Sequence, residues 1–258
     1  MNAIPSLFDS HCHLDFPAFD GWRDTALAEA RAAGVTEILV PGVTAEHWER
    51  VERLCASDPR LYPALGLHPC FLSEHRPEHL EQLATRLAAG TARAVGEIGL
   101  DYFIDNADRD QQQFYLEAQL DLAARHDLPV LLHVRKAHDQ MLKALRRAKL
   151  RRAGIVHAFS GSEQQAQQYI ELGFKLGFGG AISYDRATKL RRLASALPLD
   201  ALVLETDAPD MPLAGWRDEP NRPQRVRDTF DVLCALRAEP PGEIARRTTA
   251  NVHRLLAI

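Results

Sequence analysis

The 258-residue chain has no long apolar run. No stretch approaches the roughly 20 apolar residues of a membrane-spanning helix, so no membrane association is expected. It also lacks a cationic excess: Lys and Arg number 31 against 35 Asp and Glu, for a net charge of −4. That excludes a protein that coats nucleic acid through a broad basic surface, though not one that grips a single nucleic-acid end in a local pocket. Cysteines are few and scattered. Cys12, Cys55, Cys70 and Cys234 form no Cys-x-x-Cys spacing, which points to reduced, mostly buried thiols. The opening Met1-Asn2-Ala3-Ile4-Pro5 shows no basic segment followed by an apolar core, so a cytoplasmic protein without a secretion signal is expected. Repeats, long linkers and low-complexity tracts are missing. One domain over residues 1–258, of ordinary globular composition, is the expectation.

What is present is an alternation of short apolar runs and helical patterns. Runs read as strands are Ile4 to Phe8 (continuing to His11), Val35–Val40, Leu61–Leu67, Ala92–Ile98, Pro129–Val134, Gly154–Val156, Phe174–Phe178 and Leu202–Leu204. Helical patterns cover Ala26–Ala33, a stretch from a Thr44 cap to Ala56, Pro77–Ala89, Arg109–His126, a segment up to Lys149, and one from Ser160-Gly161 to Leu172. Arg222–Ala238 and Pro241–Leu256 close the chain. Within Arg109–His126 an apolar stripe runs through Leu116, Leu120, Ala123 and Ala124. The basic run Lys143, Arg146, Arg147, Lys149, Arg151 and Arg152 reads as a solvated helix face. Continuous apolar strands imply burial on both faces, hence a parallel sheet with helices outside. Eight such units in about 250 residues predict an α/β fold, a (β/α)8 TIM barrel in a single domain. A doubly wound open sheet would want a Gly-x-Gly-x-x-Gly turn after the first strand. His11-Cys12-His13 stands there instead.

Barrel chemistry gathers at the C-terminal ends of strands. Those ends read, in order, His11 and His13, Glu97, His133, His157 and Asp207. His11 and His13 alternate with Cys12, so on a strand they project to one side. Six metal-type residues exceed one tetrahedral site, so two divalent ions are expected, with Zn, Mn, Mg or Ni all compatible. One would take His11, His13 and Asp207, the other His133 and His157, with Glu97 bridging. Two ions about 3.5–4 Å apart polarise a water and clamp a phosphoryl or carbonyl oxygen. Asp207 can also take the water's proton, which makes Asp207 and Glu97 the candidate catalytic groups.

The motifs Asp9-Ser10-His11-Cys12-His13, Gly66-Leu67-His68-Pro69, Gly96-Glu97-Ile98-Gly99-Leu100-Asp101-Tyr102, Leu132-His133-Val134-Arg135, His157-Ala158-Phe159-Ser160-Gly161 and Glu205-Thr206-Asp207-Ala208-Pro209 resemble those of the TatD-type metal-dependent deoxyribonucleases of the amidohydrolase superfamily. Asp210-Met211-Pro212 looks most like the YjjV-type branch. The resemblance spans the chain in order. It implies a TIM barrel, a two-metal centre on the same six ligands, and hydrolysis of phosphodiesters, typically DNA trimmed from an end. Where many relatives carry Arg-Asn-Glu-Pro, this chain reads Arg217-Asp218-Glu219-Pro220.

Position nominates substrate contacts. His68 ends the third strand and can meet a phosphate. Arg135 lies two residues past His133 and suits an anionic oxygen bidentately. Ser160 opens a helix whose N-terminal amides favour anions. Asp9 and Asp101 can orient ligand imidazoles, Glu205 reads as a structural carboxylate, and Trp22 and Trp48 read as packing residues, with Trp216 on a rim loop. The expected activity is a 3′-5′ exodeoxyribonuclease acting as a monomer on a DNA end or other phosphodiester. A hydrolase of amide, ester or lactone bonds or of aminoacyl-tRNA on the same centre is the alternative. A non-catalytic metal-binding scaffold is the third. Many barrels of the superfamily bridge their metals through a carbamylated lysine; no lysine ends the fourth strand here, which favours the phosphodiesterase.

Overall fold

A computed structural model describes residues 5–258. Eight strands lie in one sheet in the order of the sequence and alternate with helices, a single-domain (β/α)8 TIM barrel. The strands are β1 (Leu7–Asp9), β2 (Val35–Pro41), β3 (Leu61–Leu65), β4 (Ala94–Asp101), β5 (Val130–Arg135), β6 (Gly154–Val156), β7 (Lys175–Phe178) and β8 (Leu202–Leu204). The helices are α1 (Arg23–Ala32), α2 (Ala45–Ala56), α3 (Glu78–Ala88), α4 (Arg109–His126), α5 (His138–Ala148), α6 (Glu163–Glu171), α7 (Thr188–Ala196), α8 (Val226–Leu236) and α9 (Pro241–Leu256). Among the described residues no helix is long and apolar enough to cross a membrane. The N-terminal part of the expected first strand, at Ile4, lies outside the described residues.

Contacts divide the chain into two compact units, Met1–Val40 with Lys175–Ile258, and Pro41–Phe174. In the first, β1 pairs parallel with β2 and β7 with β8. α9 covers β8 and β1, and its buried Asn251 amide donates to the carbonyls of Leu199 at 3.0 Å and Leu202 at 2.7 Å, pinning the entry to β8. α7 was not anticipated from sequence. It buries only Leu193 and Ala194, too short a stripe to stand out.

In the second unit, β3 to β6 pair parallel in chain order. β4 is buried along its whole length, as a two-faced strand requires. Trp48 is buried and donates its indole N–H to the Gly66 carbonyl at 2.9 Å. The stripe of α4 is less apolar than its sequence period implies, because Gln112 and Gln119 are buried on it while Ala124 is only half-buried. The Gln119 carboxamide accepts from the Leu67 amide at 2.7 Å and donates to the Leu67 carbonyl at 3.2 Å. Gln112 does the same for Asp101, at 2.8 and 3.0 Å. The two glutamines satisfy the backbone where β3 and β4 run out. An unmet buried group there would cost about 1–3 kcal/mol.

Three local expectations are corrected. Thr44 precedes α2 but its hydroxyl caps nothing and is buried without a hydrogen bond among the described residues. α6 starts at Glu163, not at Ser160, because Ser162 and Gln165 form a reciprocal capping box. α8 starts at Val226, behind a 3-10 turn over Pro223–Arg225, and ends where Arg237 turns extended.

Candidate metal centre

In the first unit β1 stops at Asp9, so His11 and His13 stand on the extended tail beyond it. That tail is held to the tail of β8. The Ser10 amide donates to the Leu204 carbonyl at 2.9 Å, Asp207 to His11 at 2.8 Å, and His13 to Ala208 at 2.8 Å. Asp9 sits at the base of the join. Its carboxylate accepts from the Thr206 hydroxyl at 2.6 Å, the Thr206 amide at 3.0 Å and the His11 amide at 3.2 Å. Burial pushes the Asp9 carboxyl up to about 8, against the pull of those bonds. Asp9 therefore orients the backbone that carries His11, rather than an imidazole ring as expected from sequence. The Asn221 amide donates to the Thr206 carbonyl at 2.8 Å from the other side. Neither Thr206 nor Asn221 was read from sequence as part of the site.

These ties bring three donors together. His11 Nε2 and His13 Nε2 are 3.2 Å apart, and Asp207 Oδ1 is 3.5 Å from the first and 3.6 Å from the second. His11 is fully buried, and the Asp207 side chain is 15% exposed. Asp207 adopts a left-handed backbone (φ 60°), which a short carboxylate side chain tolerates well. The His13 ring stacks on Phe16 at 4.5 Å. Donors about 2.1 Å from a common ion at tetrahedral angles lie about 3.4 Å apart. The three distances match that spacing, and two imidazole nitrogens aimed at each other beside a carboxylate suit a cation. The residues fit a divalent metal. On β7, a Cβ at Gly177 would press on the buried Glu205 carboxylate and force it to shift.

In the second unit the donors surround Glu97. The structure places it inside β4, at an irregularity where the pairing jumps from Val95 opposite Val130 to Ile98 opposite Leu132. Such an extra residue re-aims a side chain. The Glu97 amide leaves the ladder and donates to the Gly42 carbonyl at 3.1 Å. Glu97 Oε1 lies 3.2 Å from His133 Nδ1 and 3.3 Å from His68 Nε2. On the far side of the imidazole, His133 Nε2 lies 3.0 Å from Asp101 Oδ2. Burial opposes the charged form of His133, but the Asp101 and Glu97 carboxylates outweigh it and lift its pKa to about 9. Asp101 moves the other way. Burial would raise it, while His133, the Phe103 amide and Arg135 bring it down to about 2.

His68, expected to meet substrate, here accepts the Cys70 amide on Nδ1 at 3.1 Å, so its Nε2–H faces Glu97. Cys70 lies beside Asp101, and burial with that carboxylate pushes its thiol up to about 12. His157 follows β6, buried, with its amide on the Leu132 carbonyl at 3.0 Å. Arg135 ends β5 exposed, its guanidinium 3.8 Å from the Phe103 ring centre, with the Lys136 ammonium 4.7 Å from the same ring. Ser160 is exposed, ahead of the α6 cap. Trp48 is a packing residue, as expected, whereas Trp216 is 43% exposed under the Arg225 guanidinium.

A (β/α)8 scaffold carrying clusters of histidine and carboxylate donors defines a metal-dependent hydrolase. Residues 8–257 match the family model described as TatD related DNase. The chain is 49% identical to the uncharacterized metal-dependent hydrolase YjjV of Escherichia coli, over 99% of both proteins. The crystal structure of that TatD homologue superposes with a TM-score of 0.96, at 48% identity, covering 99% of this chain and all of that one. The chain is also 31% identical to the 3′-5′ ssDNA/RNA exonuclease TatD of Erwinia billingiae, over 98% of this chain and 99% of that protein. It belongs to the TatD family of metal-dependent hydrolases.

Proposed function

We propose that the protein hydrolyses phosphodiester bonds as a 3′-5′ exodeoxyribonuclease on a two-metal centre. His11, His13 and Asp207 would hold one divalent ion and His133 and His157 the other, with Glu97 completing the donor set. The observation that carries the substrate class is the surface beside His133. Arg135 and Lys136 both lie against the ring of Phe103, which is 49% exposed and two residues past Asp101. Cations supply phosphate contacts, and an exposed aromatic ring supplies a face for a base. In a chain of net charge −4 that local charge is what draws a polyanion to a carboxylate-lined site. The name of the Erwinia relative agrees with this reading.

Bound divalent ions would supply Lewis-acid polarisation of the phosphoryl oxygen and of water. The rest falls to the chain. Asp9 and Thr206 hold the tails of β1 and β8 in place, so that His11 and Asp207 keep their positions. Asp101 holds the His133 imidazole by its Nε2–H. Arg135 takes a non-bridging phosphate oxygen. Asp207, a carboxylate with one edge open to solvent, accepts the proton released from water during attack.

The test is a panel on chelator-treated protein reconstituted with Mg, Mn, Zn or Ni. It includes 5′-labelled single-stranded DNA, duplex DNA, RNA, a small phosphodiester, a lactone and an aminoacyl-tRNA. Single-stranded DNA should shorten stepwise from the 3′ end. Turnover of lactone or aminoacyl-tRNA with DNA left intact would replace this activity by the other one.

A further inference from the structure

Beyond β7 and β8, in the unit that carries Asp207, two loops border an open cleft of about 520 Å³ lined by Ala181, Tyr184, Arg186, Ala187, Met211 and Pro212. Its walls are tied together. The Tyr184 hydroxyl donates to the Pro212 carbonyl at 2.8 Å, and the Ala214 amide donates to Ser183 Oγ at 2.8 Å. The wall is also fixed to the site. The Asn221 amide that holds the Thr206 carbonyl reaches the Met211 carbonyl at 3.2 Å, and the Asp210 amide donates to the Asp207 carbonyl at 2.8 Å.

The chemistry of the cavity is mixed in a particular way. Its inner surface is apolar, from alanines, Pro212 and a Met211 that is 38% exposed. At its mouth two exposed guanidinium groups lie over the Tyr184 ring, Arg217 at 4.7 Å and Arg186 at 5.5 Å. The acidic neighbour Asp185 faces Arg191, 3.9 Å away. A free phosphate has no use for the apolar wall, and an apolar ligand has none for the arginines. A nucleotide uses both, and the volume falls within the range of small-ligand sites.

We propose that this cleft holds a nucleotide of a single-stranded substrate next to the one being cut, with its base on the apolar wall and its phosphates between Arg186 and Arg217. The proposal deepens the exonuclease reading and rests on it. It gives the enzyme a preference for strands of several nucleotides over small phosphodiesters, through residues four to ten positions past Asp207 and through the loop after β7. The divergent Arg217-Asp218 segment then belongs to substrate recognition.

The test is binding of a fluorescein-labelled, phosphorothioate-linked hexathymidylate to the protein as purified, read by fluorescence anisotropy without turnover. The double variant R186A/R217A should weaken binding at least tenfold and reduce the salt slope by about 1.4, near 0.7 for each lost phosphate contact. A second variant, Ala187→Asp, replaces the residue at the α7 N-cap by a good capping residue, so it should fold; its carboxylate in the cleft should weaken binding as well. R146A/R147A, on α5, should bind within twofold of the parent. Unchanged affinity in the first two variants, equal loss in the α5 control, or no binding by the parent protein overturns the cleft assignment. The two readings fail separately. A strand that binds through Arg186 and Arg217 yet is never shortened, when its bonds are ordinary phosphodiesters and metal is present, sinks the nuclease and keeps the cleft. Shortening that ignores both variants does the reverse.

Discussion

Asp101 faces His133 Nε2 at 3.0 Å, and that contact decides which imidazole nitrogen is left to a metal. Both carboxylates only accept, so the imidazole carries a proton on each nitrogen here; Asp101 keeps the one on Nε2, and a metal at Glu97 would displace the one on Nδ1, which lies 3.2 Å from Glu97 Oε1. The Phe103 amide at 2.8 Å and the Gln112 clamp on the Asp101 backbone keep the carboxylate in place. Asp101→Asn removes the charge that keeps the proton on Nε2. Loss of such a partner typically costs about 10–100-fold in metal affinity. The variant is expected to fold normally and to give up metal to a competing chelator at correspondingly lower chelator concentration. Parent-like retention of metal would show that His133 needs no carboxylate behind it.

How far the sequence reached can be judged from particular elements. α4, β6 and α9 have the bounds their patterns predict, Arg109–His126, Gly154–Val156 and Pro241–Leu256. The first and last are long enough for the helical period to show, and β6 is bracketed by Gly154 and the polar His157. The candidate donors stood out in the sequence because ionisable side chains are out of place beside apolar strands. The way they are presented was not legible. Glu97 looked like a strand end because the apolar pattern pauses there, whereas β4 runs on to Asp101 past a break in register. Thr206 and Asn221 carry no chemical signature, since a hydroxyl and an amide that tie loop backbones look like any surface polar residue. The cleft beyond Asp207 joins segments about thirty residues apart, as in the bond from Tyr184 to Pro212, and no local pattern announces it.

His75 links stability to pH in the second unit. Its Nε2–H donates to the His68 carbonyl at 2.9 Å, while Nδ1 is buried without a hydrogen bond among the described residues. Burial lowers its pKa from 6.5, so the folded chain resists protonating it. The unfolded chain takes up that proton below about pH 6.5. The stability from neutral His75 is therefore complete above that pH and is lost as the pH falls below it. Urea midpoints at pH 7.5 and 5.5 should fall further apart in the parent than in His75→Gln, which keeps a donor to His68 but does not titrate. An equal gap in both proteins would clear His75.

Arg135 tests the substrate side of the centre. It is exposed and sits on Phe103, so removing it leaves the donor cluster intact. A charge-assisted hydrogen bond contributes about 1.5–3 kcal/mol. Arg135→Ala should raise KM for single-stranded DNA about 10–100-fold, with metal content unchanged. Metal loss in step with affinity would make Arg135 a structural residue.

In the proposed mechanism, metal binding and proton transfer meet in the Asp207 side chain. Its Oδ1 lies 3.5 Å from His11 Nε2 and 3.6 Å from His13 Nε2, on a segment fixed through the His11 carbonyl and the Asp9–Thr206 bonds. Asp207→Asn keeps the shape and one acceptor oxygen but loses the charge and nearly all the basicity. None of the backbone bonds that fix the segment involves the Asp207 carboxylate, so the fold should survive and the thermal midpoint should stay close to that of the parent. Occupancy by the ion assigned to His133 and His157 should persist, and DNA should still bind through Arg135. Loss of a general base costs about 10²–10⁴-fold in rate. Hydrolysis of labelled single-stranded DNA at saturating metal should fall by that much, with metal content measured on the same samples. Near-parent turnover in a fully loaded Asp207→Asn protein would remove Asp207 as the proton acceptor and leave it, at most, a replaceable ligand.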